Sequence, residues 1–525
     1  MRNANESRPA VSHQAQEGCP LPRGVLSPRD WQLALLGGVL GVCAVLSEPA
    51  ANAQSTAHQT RRPPDTLVRR IASVMENRSV AEQADLSADG EMMAEPLLEE
   101  GAIEIPDGVG TEPLAPEITT PEDAVDDGED APAESDAATD DSDEEDEEEE
   151  PVPETAFDFL PHSLGALTAE STYTGEVFTN TRGGINTNHA TRYRGNLDLI
   201  IHGDLDQLFG ITGATFFIYG GQVHGQSLTN NDVGDWQVLS SIDPYPYVDV
   251  TQIQEHWVRQ EFLDGRWSFK VGRQDANADF GFADLAGDFL NNSFVTTPTI
   301  PMPIWPAQSL GASSFFDVND NVKLAAGVYQ SNKLGRLWGD SLSGQDGYVG
   351  VGHLEWKTQI GPNSQLPGTW RVGGWYDTGN WGQITTAPVA KVYRNNYGFF
   401  ASGDQLLFKE EYGTDDEQGL GVFYEFGWAP GERNFIQEYY GAGVVYRGLL
   451  PGRDHDSVGL GIADILFGQA TRDRDGLFYE NVTEVFYKAQ INDYLVIQPD
   501  IQFITNPGGN GRDALVAGIR FELVL

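Results

Sequence analysis

The chain closes with Leu515-Val516-Ala517-Gly518-Ile519-Arg520-Phe521-Glu522-Leu523-Val524-Leu525. Leu515, Ala517, Ile519, Phe521, Leu523 and Leu525 are apolar at every second position, while Arg520 and Glu522 have the other parity. Successive side chains of a strand point to opposite faces, so a period of two gives one apolar face and one polar face. The pattern recurs upstream. Leu197, Leu199 and Ile201 alternate with Asn196, Asp198 and His202, and Trp267, Phe269 and Val271 alternate with Arg266, Ser268 and Lys270. Leu495, Ile497, Ile501 and Phe503 do the same against Gln498, Asp500 and Gln502.

A soluble antiparallel sheet with one wet face would carry the same alternation, so context decides. Leu33 to Leu46 read LALLGGVLGVCAVL, preceded by Arg23 and Arg29 and followed by Ala51-Asn52-Ala53. That is the layout of an export signal, residues 1–53, with cleavage before Gln54; a lipoprotein reading at Cys43 is weaker because Val42 stands where a small residue is expected. No later apolar run reaches the 18 residues of a membrane helix. Cys19 and Cys43 both lie in the leader, so the exported chain would hold no thiol for disulfides, catalysis or metal. Gly518-Ile519-Arg520-Phe521-Glu522-Leu523 resembles the terminal signal read by the barrel-insertion machinery, departing from its commonest form by ending in Leu525. The fold class expected is all-β: a transmembrane antiparallel β-barrel over residues 156–525. At about 22 residues per strand and connection that is 14 to 18 strands, about 16, enough for an aqueous channel. Trp257, Trp370, Trp375, Tyr376, Phe423, Tyr424, Tyr446 and Tyr487 are candidates for its aromatic girdles.

The 525 residues carry a formal charge of −47. By segment it divides into about −27 over residues 1–155 and about −20 over the rest, so more than half belongs to the leader. Residues 54–155 form a disordered acidic linker: Asp136 to Glu150 are nearly all acidic and cannot bury a core. A short helix is expected at 65–85, with Leu67, Ile71, Val74 and Met75 on one side. The linker is read as a solvated tether, with a cell-wall partner as the alternative. Nucleic acid is excluded as a partner because phosphate contacts need Lys and Arg.

Several blocks in order resemble the carbohydrate-selective (OprB-like) porins. They are Phe269-Lys270-Val271-Gly272-Arg273 through Asp279-Phe280 to Phe289–Phe294; Pro298, Pro301, Pro303 and Pro306; and Leu366–Tyr376. Gly443–Gly452 with Arg453, Asp456 and Gly459, and Glu480 to Gly509, complete the set. The resemblance implies loops folded into the lumen to form a constriction, and passive diffusion of mono- and small oligosaccharides across the outer membrane of a Gram-negative-type envelope. Partners would be small carbohydrates and outer-membrane lipid. No cofactor, metal or catalytic residue is implied.

Sugars present hydroxyls and flat apolar ring faces, so a selective pore needs polar groups to replace water and aromatics to stack. The candidates for the constriction are Glu255, Arg259, Arg273, Asp275, Asp279 and Trp305, then Arg453 and Arg520. Each also fits a structural role, because a wet lumen is polar throughout. Asp317 to Asn321 reads as a polar turn and Thr471 to Gly476 as a loop tip. Competing readings are a general diffusion pore, an envelope-anchoring barrel, and a secreted all-β glycoside-active enzyme. The last would bury its apolar faces inside, whereas a barrel carries them outside.

Overall fold

The computed structural model describes residues 163–525, apart from 244–248, 333–336, 338–345, 362–364 and 413–416. The signal peptide, the acidic linker and the helix expected at 65–85 lie outside the described residues. Sixteen strands form the wall. They are β1 (Leu167–Arg182), β2 (Thr191–Asp204), β3 (Ala214–Gly225), β4 (Val250–Phe262), β5 (Trp267–Gln274), β6 (Ser309–Asn319), β7 (Val322–Gln330) and β8 (Tyr348–Ile360). The ring continues with β9 (Leu366–Asp377), β10 (Asn396–Lys409), β11 (Gly419–Trp428), β12 (Ile436–Arg447), β13 (Ser457–Phe467), β14 (Tyr479–Asn492), β15 (Leu495–Thr505) and β16 (Ala514–Val524). Every neighbour is antiparallel, and β16 closes the sheet on β1 through pairs such as Ile519↔Val177 and Arg520↔Glu176. Closure leaves no unpaired edge, which the interior of a bilayer requires.

The alternation read from the sequence sets the two faces. Leu199, Val271, Val328, Val372, Leu460, Ile462 and Ile519 are exposed on the exterior, while Asn196, Lys270, Gln498, Asp500 and Arg520 are buried inside. Tyr376 and Tyr424 stand outside as expected, joined by Tyr193, Trp267, Trp356 and Phe399. Three of the girdle candidates differ. Trp375 and Phe423 are buried in the interior. Trp257 turns inward as well, stacked on Phe217 at 4.7 Å. Their parity puts them on the lumen side, and composition alone does not reveal parity.

Connections alternate in length. At one end are tight turns such as 320–321 and 493–494; at the other are long segments, above all 226–249 and 275–308. The Asp317 to Asn321 motif makes one of the turns, with Asn321 N–H donating to Asn319 Oδ1. Thr471 to Gly476 belongs to a short helix, Gln469–Asp475, ended by Gly476 at φ 69°. In barrels of this kind the short turns face the periplasm and the long loops the exterior.

The apolar core is unusual in lying inside the ring. Phe280, Phe289, Leu290 and Phe294 of segment 275–308 are fully buried, packed against inward residues of the wall. The segment has folded into the lumen and carries its own apolar surface with it.

Candidate functional site

Segment 275–308 leaves β5, crosses the lumen and seats on the opposite wall. Phe289 meets Phe486 of β14 at 4.8 Å and Phe423 of β11 at 5.3 Å, both edge-on. The seat exists because β13 is glycine at inward positions: a Cβ on Gly461 would lie 2.6 Å from the Phe289 ring and 2.8 Å from that of Phe294. Glycine in a strand marks such close approaches.

A chain inside a barrel has backbone N–H groups with no ladder partner, and buried ones must be satisfied. Here wall carboxylates do it. Leu290 and Asn291 N–H donate to the two oxygens of Glu484 at 2.6 and 2.9 Å. Asp284 and Leu285 N–H donate to Asp404 at 2.8 and 2.7 Å. The second inward segment, 226–249, is held in the same way: Trp236 and Gln237 N–H donate to Glu480, and Ser240 Oγ donates to Glu176. Hydrogen bonds to an ionised acceptor are short and contribute about 1.5–3 kcal/mol each.

Three ion pairs join segment 275–308 to the wall. Lys270 Nζ lies 2.5 Å from Asp279, Arg371 lies 3.3 Å from Asp284, and Lys488 lies 2.8 Å from Asp288. Arg371 also reaches Glu355 at 2.9 Å and Asp404 at 3.8 Å. Beneath segment 226–249, Glu176 is held between Arg194 at 2.5 Å and Arg520 at 2.6 Å.

The residues singled out from the sequence fall into three groups. Glu255, Asp275 and Trp305 form a relay: Asp275 N–H donates to Glu255 Oε2 at 3.0 Å, and Trp305 N–H donates to Asp275 Oδ2 at 2.9 Å. Burial pushes the Asp275 carboxyl up to about 6, against the opposing effect of the N–H groups of Trp305 and Asn277. Asp279 pairs with Lys270, and Arg259 is half-exposed on β4 beside Glu261 at 3.2 Å. The remaining three do not line an open passage. Arg273 is buried and donates to the carbonyls of Gln254 and Leu337. Arg520 is buried under segment 226–249. Arg453 sits at the opposite end of the barrel, in turn 448–456, where its fork grips Asp456 at 2.8 Å and the Gln490 carbonyl at 2.9 Å. It braces a turn instead of narrowing the pore.

Sequence reading missed Arg371, Asp284, Asp404, Glu484 and the lumen role of Lys270. The signal for Lys270 was available, since it stands on the polar parity of a clear strand. For Glu484 and Asp404 nothing local distinguishes a loop-holding carboxylate from any other inward one.

The family model described as carbohydrate-selective porin, OprB family, matches residues 188–525. Porin B of Pseudomonas aeruginosa is 25% identical over 395 residues, covering 67% of this chain and 86% of that protein. The putative porin QuiX of Acinetobacter baylyi is 25% identical over 394 residues, covering 66% and 87% respectively. The solved high-pH structure of Pseudomonas putida OprB superposes with a TM-score of 0.63 at 23% identity, covering 69% of this chain and 94% of that one.

Proposed function

Because this chain belongs to the carbohydrate-selective porin family, and is therefore an outer-membrane channel for passive diffusion of small sugars and not an enzyme, we propose that its solute path runs between segment 275–308 and the inward face of β1–β4. One observation carries this reading: the segment packs its apolar residues on β7–β15, while Asp198, Tyr219, Trp257 and Arg259 of the facing wall stay partly exposed. Tyr219 OH donates to Asp198 at 2.5 Å. These groups exchange hydrogen bonds with sugar hydroxyls in place of water, and weakly enough for release. Arg259 and Asp279 border the path; Glu255, Asp275 and Trp305 hold the segment that narrows it.

The rest of the reading follows from the envelope. The exterior band meets outer-membrane lipid in a Gram-negative-type envelope, the insertion machinery reads β16, and the leader 1–53 directs export. The acidic composition of residues 54–155 supports a role as a solvated tether available to the cell wall.

Single-channel conductance in planar bilayers, titrated with glucose and a maltooligosaccharide, tests the path. Saturable sugar block is expected; openings without block would indicate an unselective pore. Removal of residues 60–150 is expected to leave the block unchanged, and a lost block would assign the tether to the channel itself.

A further inference from the structure

The two segments folded into the lumen carry charge of one sign. Segment 275–308 contains Asp275, Asp279, Asp284 and Asp288, segment 226–249 contains four more aspartates, and neither has a Lys, Arg or His. Every cation opposing segment 275–308 in the three ion pairs comes from the wall, and in each pair the cation is the more buried partner. Side-chain exposures are 8% for Lys270 against 17% for Asp279, 30% for Lys488 against 34% for Asp288, and 6% for Arg371 against 54% for Asp284. Arg371 is shared among Asp284, Glu355 and Asp404, one positive charge among three carboxylates. Phe282 lies against its guanidinium at 4.3 Å and helps to cover it. The solvent-exposed group of that pair is the carboxylate of Asp284, not the cation behind it.

Resting on the porin reading above, we propose that Asp284 is a selectivity residue, and that the sugars this channel prefers carry no negative charge, with protonated amino sugars favoured over neutral ones and acidic sugars rejected. The physics is elementary. A fixed carboxylate in a narrow, low-dielectric lumen attracts an ammonium and repels a second carboxylate, and the effect is larger than in bulk water. An ammonium also donates hydrogen bonds to an acceptor-rich wall, which the carboxylate group of a uronate cannot do.

The full-length protein, refolded and heat-modifiable, would be placed in planar bilayers at pH 6 and low salt. Reversal potentials in a KCl gradient and block by glucose, glucosamine and glucuronate are the readouts. Potassium preference is expected, with glucosamine blocking at lower concentration than glucose by about fivefold, the Boltzmann ratio for one charge pair at contact in water. Glucuronate should block least. Asp284→Asn should erase most of the glucosamine advantage, and Asp284→Lys should invert the ion preference. The Asp284 backbone N–H, not its side chain, is the group held by Asp404, so both variants keep that anchor. Glucose block combined with chloride preference, or with equal block by glucosamine and glucuronate, would overturn the proposal and leave the porin path intact. Absence of any sugar block would overturn both. Should neither variant fold, the wild-type ranking of the three sugars still decides the preferred class.

Discussion

Gly461 shows how much one absent side chain determines. Its inward position is occupied by the rings of Phe289 and Phe294, and no other residue leaves that space. Gly461→Leu overpacks the seat, which typically costs about 1–3 kcal/mol. The cheaper relief is for segment 275–308 to leave the wall, so the expected result is a larger single-channel conductance with weakened sugar block in a barrel that still folds. Unchanged conductance would mean that the segment is held by its carboxylate anchors alone. Residue identity was only partly legible beforehand. Asp279, in a block that resembles the porin family, pairs with the wall residue Lys270. Arg453, from a block of the same kind, braces a turn, because a motif marks a framework position without saying at which end of a strand it falls.

At the scale of elements, segment 275–308 behaves as an insert with its own titration. In the folded chain Asp275 releases its proton near 6, above the ordinary 3.8, because its carboxyl is buried. The folded state therefore binds that proton more tightly than the unfolded chain. Its contribution to stability is full below about 3.8 and is lost as pH rises through about 6. The thermal midpoint in detergent is expected to fall between pH 4.5 and 7.5, and to fall less in Asp275→Asn. Equal slopes for both proteins would place the proton elsewhere. Strand elements were readable because alternation is local. The course of this segment was not, since its anchors, Asp404, Glu484 and the glycines of β13, lie more than a hundred residues away in sequence.

For the whole molecule, the apolar band is a requirement of the solvent. Ile462 sits at the middle of β13 and is exposed outside the ring. Ile462→Arg is expected to cost about 2–4 kcal/mol in lipid vesicles, the range for a charge at the bilayer midplane. Urea unfolding of the vesicle-inserted barrel measures it, with Ile462→Ala as the size control. A cost no larger than that of Ile462→Ala would mean that this face is not against lipid.

The sequence by itself determined the fold class, the approximate strand number and the sign of the charge, because each is written in local alternation or composition. It also determined which side of β16 faces lipid, since parity is counted along the chain. Only the tertiary structure decided what fills the lumen. Backbone N–H groups inside a closed ring must find acceptors on distant strands, and wall cations must be paired with carboxylates from the inward segment. Those pairings depend on closure of the sheet, which brings β5 opposite β14 and leaves the Asp284 carboxylate half-exposed beside Arg371.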